Sequence, residues 1–454
     1  MSSTTDAASI HNHRQDGHDA IARLQGRDGR PRVAFLIGGR EGGGMSVAAL
    51  DLIRRVRRDR FEISVLSTGQ GNFSNRIRAE GFDCQEIGTG WPPMMRRSVG
   101  DAVEFERGSA LRMLAWTIRT ARALGAIVRA ENIDIVHTNY HHFHLVAALA
   151  ASGTNTKVVW HWRGRVDHPL RLADETSVRI PPLASIAPRW LWIQRLGPLL
   201  QAVTQDYVHS IAVSETVRAS VRPIVGERVD VIHDGIPLDS LSTGTAGFRR
   251  LLGRPPEALL VGLVATFNPV KGHKHFIEAA AEICRKREDV HFVHIGGQMR
   301  SGQEQYRESM LRLAAELGLN GRMHFLGHRE DAVALTADLD IAVSCTLPPG
   351  EGFGLTTLEA MAAAVPVVAT HCGASVEIVV DGVTGLLVPP ADSKALAGAW
   401  ETLLSDAALR KEFGTNGRAR CQREFAIEST LRRVENLYDR LLDRAPALEI
   451  IRNR

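Results

Sequence analysis

PPGEGFGLTTLEAMAAAVPVVAT, residues 348–370, follows one apolar run, DIAVSC (340–345), and ends in another, PVVAT (366–370). Gly352 and Gly354 allow a tight turn whose backbone can approach a ligand closely, and the Ala-rich stretch from Leu355 has helical character. Strand, glycine turn, helix and strand make the repeating unit of a parallel sheet. In such a unit the helix start offers free amides and a positive dipole end to an anion.

Outward from this unit, the same alternation runs through most of the chain. VAFLIG (33–38), FEISVLS (61–67), DIVHTN (134–139), KVVWHW (157–162), SIAVSE (210–215) and VDVIHDG (229–235) form a first series. LLVGLVAT (259–266), VHFVHIGG (290–297), MHFLG (323–327), DIAVSC and PVVAT form a second. Two doubly wound α/β sheets in tandem are therefore predicted, in keeping with 454 residues, too many for one hydrophobic core. The expected division is a flexible leader over 1–30, a first domain over 31–235, a second over 236–425 and a terminal segment over 426–454. The strand-poor stretch from Asp234 to Pro256 reads as the linker. Leu431, Val434, Leu437 and Leu441 recur at helical spacing in the terminal segment, which predicts a helix over 427–448 that returns to pack on the first domain.

Lys plus Arg number 55 against 51 Asp plus Glu, so a net charge of +4 argues against nucleic acid as the main partner. Cys84, Cys284, Cys345, Cys372 and Cys421 show neither a CxxC pair nor metal-like spacing and read as reduced thiols. The leader lacks the apolar centre of a signal peptide, and no run of about 18 apolar residues occurs. A cytoplasmic protein is expected. Between residues 160 and 200, Arg163, Arg165, Arg171, Arg179, Arg189 and Arg195 are interleaved with Trp162, Trp190 and Trp192. That stretch reads either as a solvated helical insertion or as a surface for an anionic acceptor or for the inner membrane face.

Glu351 and Glu359 flank the glycine turn, and a carboxylate accepts hydrogen bonds from paired hydroxyls, so the two could grip two different sugar rings. Thr356 and Glu359 also have the spacing of a capping box, a purely structural alternative. Lys271, in KGH (271–273), reads by itself as a solvated residue at a helix start, with a counter-charge for phosphate as the less frequent alternative. GGREGGG (38–44), with Gly42, Gly43 and Gly44, could cradle anionic groups but lacks the dinucleotide GxGxxG pattern, which disfavours a nicotinamide enzyme. The four histidines of HTNYHHFH (137–144) match no common metal-site spacing.

These motifs, taken together and in order, resemble glycosyltransferase family 4, the retaining transferases of GT-B fold. The resemblance spans about residues 31–440 and rests on EGFGLTTLEAMAAAVPVVAT, GGREGGG, DIVHTN, AVSE (212–215), VIHDGI (231–236), KGH and VVDGVTGLLVPP (379–390). It implies two facing Rossmann-like domains and transfer of a sugar from a UDP- or GDP-linked donor, with no metal or other cofactor. The acceptor would be a sugar, a lipid-linked sugar or another group. By the same resemblance Glu359 would bind the ribose hydroxyls and Glu351 a hydroxyl of the donor sugar. The backbone of Phe353, Gly354 and Leu355 would complete the pocket, Lys271 would neutralise the diphosphate, and His161 would face the donor sugar near the reacting carbon. One departure stands out: the family's arginine five residues before the lysine is replaced by Thr266. That replacement motivates the alternative of a transferase-like binding subunit without turnover. Two carboxylates beside a sugar also suit a glycosidase, but their place on a phosphate-type helix turn favours binding roles.

Overall fold

The computed structural model describes residues 29–39, 43–93, 96–99, 102–105, 109–166, 202–240, 247–297 and 303–443. In the first half lie β1 (Arg32–Ile37), β2 (Glu62–Ser67), β3 (Cys84–Glu86), β4 (Arg96–Val99), β5 (Ala102–Phe105), β6 (Ile135–Thr138), β7 (Lys157–Trp162), β8 (Val208–Ala212) and β9 (Val229–Val231). Seven of them form a parallel sheet in the order β3-β2-β1-β6-β7-β8-β9, while β4 and β5 make a separate antiparallel hairpin. The second half holds β10 (Leu259–Val264), β11 (Val290–Ile295), β12 (Met323–Phe325), β13 (Ile341–Ser344), β14 (Val367–Thr370) and β15 (Gly385–Val388). These are parallel in the order β12-β11-β10-β13-β14-β15.

Helices on both faces explain why strands such as β1 and β11 read as unbroken apolar runs rather than alternating ones. The strand order reverses between β1 and β6 and again between β10 and β13, and ligands of open parallel sheets sit beyond the carboxyl ends at such reversals. Three elements escape the periodicity. β3 is a three-residue edge strand in which only Cys84 is buried, the β4–β5 hairpin is short, and β15 follows a turn-rich stretch that masks it.

Five helices bear on the site: α1 (Gly44–Arg55), α2 (Glu215–Val225), α3 (His273–Cys284), α4 (Leu355–Ala362) and α5 (Ile427–Leu441). α5 belongs to the first domain's core. Ile427, Leu431, Val434, Leu437 and Tyr438 pack with Phe35, Phe61, Ile135, Val159 and Ile211. Its buried Glu435 accepts from Arg57 N (3.0 Å) and Arg60 Nη1 (3.0 Å), and Asp439 pairs with Arg60. The described helix stops at Leu441, short of 448.

The two chain crossings between domains run side by side. Ile236 N donates to Phe425 O at 3.0 Å and Ile427 N to Ile236 O at 3.1 Å. Gly235 is required there, since a Cβ would stand 2.6 Å from Ile427 Cα. Among the described residues no helix is long and apolar enough to cross a membrane.

Candidate active site between the two sheets

At the end of β10 the chain makes a single 3-10 turn, Pro269–Lys271, closed by Val270 N donating to Asn268 Oδ1 at 3.1 Å. Gly272 follows at φ +71°, where a Cβ would stand 1.9 Å from Cys345 O. Only glycine fits, and the close approach aims Lys271 back over the ends of the strands. Its Nζ lies 2.5 Å from Glu351 Oε1, which also accepts from Thr346 Oγ1 at 2.8 Å. Thr370 Oγ1 donates to Thr346 O at 2.6 Å, so the ends of β13 and β14 are tied beneath the pair.

The turn that carries Glu351 depends on glycine too. A Cβ on Gly350, at φ +86°, would stand 2.4 Å from Gly373 Cα. Helix α4 begins at Leu355 with Gly354 at its N-cap and no side-chain cap, so Thr356 and Glu359 both lie inside the helix and form no capping box. The amides of the first turn have no acceptor within the helix and sit at its positive end. The Phe353 ring is buried, stacked on His233 at 5.7 Å and edge-on to Phe425 at 6.2 Å. What Phe353 can offer a ligand is therefore its main chain. Burial, with the Asp51 carboxylate of α1 adding to it, pushes the Glu359 carboxyl up to about 7.

The first domain closes against this turn. Gly44, opening α1, lies where a Cβ would stand 3.4 Å from Leu355 Cδ1, so the starts of α1 and α4 face each other across the cleft. Gly43 precedes it at φ +82°, and Gly42 lies outside the described residues. Ser214 caps α2 by accepting from Val217 N (3.0 Å) and donates to Gly352 O at 2.6 Å. A Cβ on Gly352 would meet Arg163 O at 2.8 Å, which brings the end of β7 onto the turn.

Two contacts in this region were not singled out from sequence. Glu377 accepts from the amides of Glu215 (2.9 Å) and Thr216 (3.0 Å), clamping the start of α2 to the second domain. Arg165 Nη1 donates to Pro349 O at 3.2 Å, two residues from Glu351. Only the general rule that a helix start attracts a carboxylate could have pointed to the first, and nothing local pointed to the second. Thr266 is half-buried in the loop after β10, beside Gly296, whose Cβ would stand 1.8 Å from Ala265 O.

His161, near the end of β7, is fully buried, with Nδ1 3.1 Å from His137 Nε2 and 3.4 Å from Arg163 Nη2. Its Nε2 has no partner among the described residues. Burial, and then the Arg163 guanidinium, hold both ring pKa values well below the ordinary histidine range. Of HTNYHHFH, His137 turns to Tyr438 and His161, whereas His144 Nδ1 meets Thr138 Oγ1 at 2.6 Å. Among the described residues no group of three or more His, Cys, Asp or Glu converges as a metal site.

Two members of the basic, aromatic stretch are corrected. Trp162 is a core residue whose Nε1 donates to Ser210 Oγ at 3.3 Å, and Arg163 is buried and ion-paired with Asp234. Arg171, Arg179, Arg189, Arg195, Trp190 and Trp192 lie outside the described residues.

Two family models match the chain, glycosyltransferase family 4 over residues 42–240 and glycosyl transferases group 1 over 248–420. A D-inositol 3-phosphate glycosyltransferase of Corynebacterium urealyticum is 32% identical over 222 residues, covering 46% of this chain and 51% of that protein. The lipopolysaccharide core biosynthesis mannosyltransferase LpsB of Rhizobium meliloti is 31% identical over 196 residues, covering 43% and 55%. The chain thus spans about half the length of these curated relatives. Among solved structures, a glycosyltransferase from Rickettsia africae superposes with TM-score 0.73 at 20% identity over 92% of this chain and 100% of its own. Anabaena HepE, solved with UDP-glucose, gives 0.67 at 21% identity, over 90% and 99%. Two facing parallel sheets, a glycine turn carrying Glu351 at the start of α4 and the two consecutive family matches lead to one conclusion: the chain has the GT-B fold and belongs to glycosyltransferase family 4.

Proposed function

We propose that the protein transfers a sugar, with retention of anomeric configuration, from a nucleoside diphosphate sugar to an acceptor hydroxyl. The observation that carries this reading is the convergence of Lys271, Glu351 and the start of α4 at the carboxyl ends of β10, β13 and β14. When the bond between the anomeric carbon and the phosphate oxygen breaks, negative charge grows on the leaving diphosphate. An ammonium and preorganised amides stabilise that charge without reorganising. Glu359, one turn into α4, takes the ribose hydroxyls, and Glu351, further from the nucleotide, takes a hydroxyl of the sugar. In the unliganded site Lys271 and Glu351 neutralise each other, and an arriving diphosphate and sugar hydroxyl replace each as the other's partner. The relatives' names support glycosyl transfer as the class of reaction, and the HepE complex supports a nucleotide-linked donor.

The test is a difference between two variants. Glu359→Ala should weaken nucleotide binding by about 1.5–3 kcal/mol, the worth of charge-assisted hydrogen bonds. Glu351→Ala should lower nucleotide release from a panel of UDP- and GDP-sugars while leaving free nucleotide affinity nearly unchanged. Calorimetry that found both variants binding nucleotide like the wild type would refute the assigned site, and a wild type that released no nucleotide from any donor would favour a binding subunit.

A further inference from the structure

From the terminal helix α5, Tyr438 reaches the interior of the first domain and places its hydroxyl 2.7 Å from His137 Nδ1. His137 Nε2 in turn lies 3.1 Å from His161 Nδ1, and Arg163 Nη2 approaches the same Nδ1 at 3.4 Å. All three ring side chains are inaccessible to solvent, with 0% exposure. The chain is directed from both ends: the Tyr438 hydroxyl donates to His137 Nδ1 across the shortest of the three contacts, and the Arg163 guanidinium, which only donates, biases His161 Nδ1 toward accepting. His161 Nδ1 then accepts, and a neutral ring that accepts at Nδ1 carries its proton on Nε2. His137, accepting from Tyr438 at Nδ1, carries its proton on Nε2 and, at 3.1 Å, is the nearer donor to that lone pair. Burial, which disfavours the charged form of both rings and raises the tyrosine pKa, agrees with this all-neutral arrangement.

We infer that Tyr438 and His137 are positioning residues that lock His161 as the neutral Nε2–H tautomer, so that it presents a hydrogen-bond donor to an oxygen of the bound donor substrate. The atom so presented, His161 Nε2, is the one that finds no acceptor among the described residues. A buried donor left without a partner costs stability, and a ligand oxygen would relieve that cost. The lock also excludes His161 Nε2 as a general base, since its lone pair is occupied by the proton. The inference rests on the reading of His161 as a site residue, and it ties the terminal helix to the reaction centre through two side chains.

The experiment combines ring nitrogen spectroscopy with kinetics on the full chain. In long-range proton–nitrogen spectra of histidine-labelled protein at neutral pH, with His161 assigned by its loss in His161→Gln, Nδ1 should appear unprotonated and Nε2 protonated. Tyr438→Phe keeps the ring but removes the donor to His137. It should shift a fraction of His161 to the Nδ1–H form and lower nucleotide release from UDP-glucose or GDP-mannose, whichever is turned over, several-fold, with the donor KM little changed. In a His137→Gln background the glutamine amide can donate to His161 Nδ1 unaided, so Tyr438→Phe should then add no further loss. A wild-type His161 protonated at Nδ1 or at both nitrogens overturns the inference. So does an equal loss from Tyr438→Phe in both backgrounds, the mark of a merely structural role. Full turnover in His161→Ala would instead remove the reading of the site, a result the ring spectra neither need nor contradict.

Discussion

Glu359 offers a proton that can be counted. Its carboxyl is held at about 7 against an ordinary 4.5, chiefly by burial and then by Asp51. A difference of that size corresponds to roughly 3 kcal/mol disfavouring the charged form. Near pH 7 the carboxyl is then about half protonated in the free protein. If ribose hydroxyls donate to it, each charge-assisted bond favours the carboxylate enough to ionise it fully. Binding an intact nucleotide sugar, whose pyrophosphate has no group titrating near neutrality, should therefore release about half a proton. Titration calorimetry at pH 7 in two buffers of different ionisation enthalpy measures this number directly. Glu359→Gln should abolish the buffer dependence while Asp51 remains in both proteins. The same carboxyl makes a second, independent demand on stability. Because its folded pKa is raised, its contribution is complete below pH 4.5, falls as pH rises, and is gone above about 7. Wild type should lose up to about 3 kcal/mol across that window relative to Glu359→Gln. A wild type without buffer-dependent heat, or a Gln variant with the same proton release, would refute the argument.

Two further outcomes follow from the packing. Leu437 of α5 is 1% exposed in the first domain's core, so Leu437→Ala should cost about 2–5 kcal/mol in denaturant unfolding, and deletion after Phe425 should give an unstable or aggregating protein. Unchanged melting of the truncated chain would show that α5 contributes nothing to the core. Arg165, hydrogen-bonded to the Glu351 turn at Pro349, is one arginine that can be tested for the charge that Thr266 lacks. Arg165→Ala should weaken diphosphate binding by about 1.5–3 kcal/mol and leave the nucleoside monophosphate unaffected. Equal effects on both ligands would rule that role out.

The alternation of apolar runs with helical stretches determined two parallel sheets from the sequence alone, because strands buried on both faces must be apolar throughout, and a chain of this length must divide. The glycine turn before Leu355 was equally legible, since the residue types needed for close backbone approach leave few substitutes. Short and edge elements such as β3 and β15 were not, because a few residues half-exposed at a sheet margin carry no period.

Within the site, Glu351 and Glu359 belong to the motif itself, so sequence spacing could find them, whereas Lys271, 80 residues from Glu351, is reached through the family resemblance. Tyr438, Glu377 and Arg165 could not be found either way. Tyr438 meets His137 across 301 residues, Glu377 meets Thr216 across 161, and Arg165 meets Pro349 across 184. Each is an ordinary surface-type or aromatic residue in its own segment. Its partner is chosen by the return of α5 and by the docking of one domain on the other, which sequence periodicity does not encode. The proton on His161 is the furthest case, fixed by a donor-only guanidinium and a relay that exist only once three separate elements have packed together.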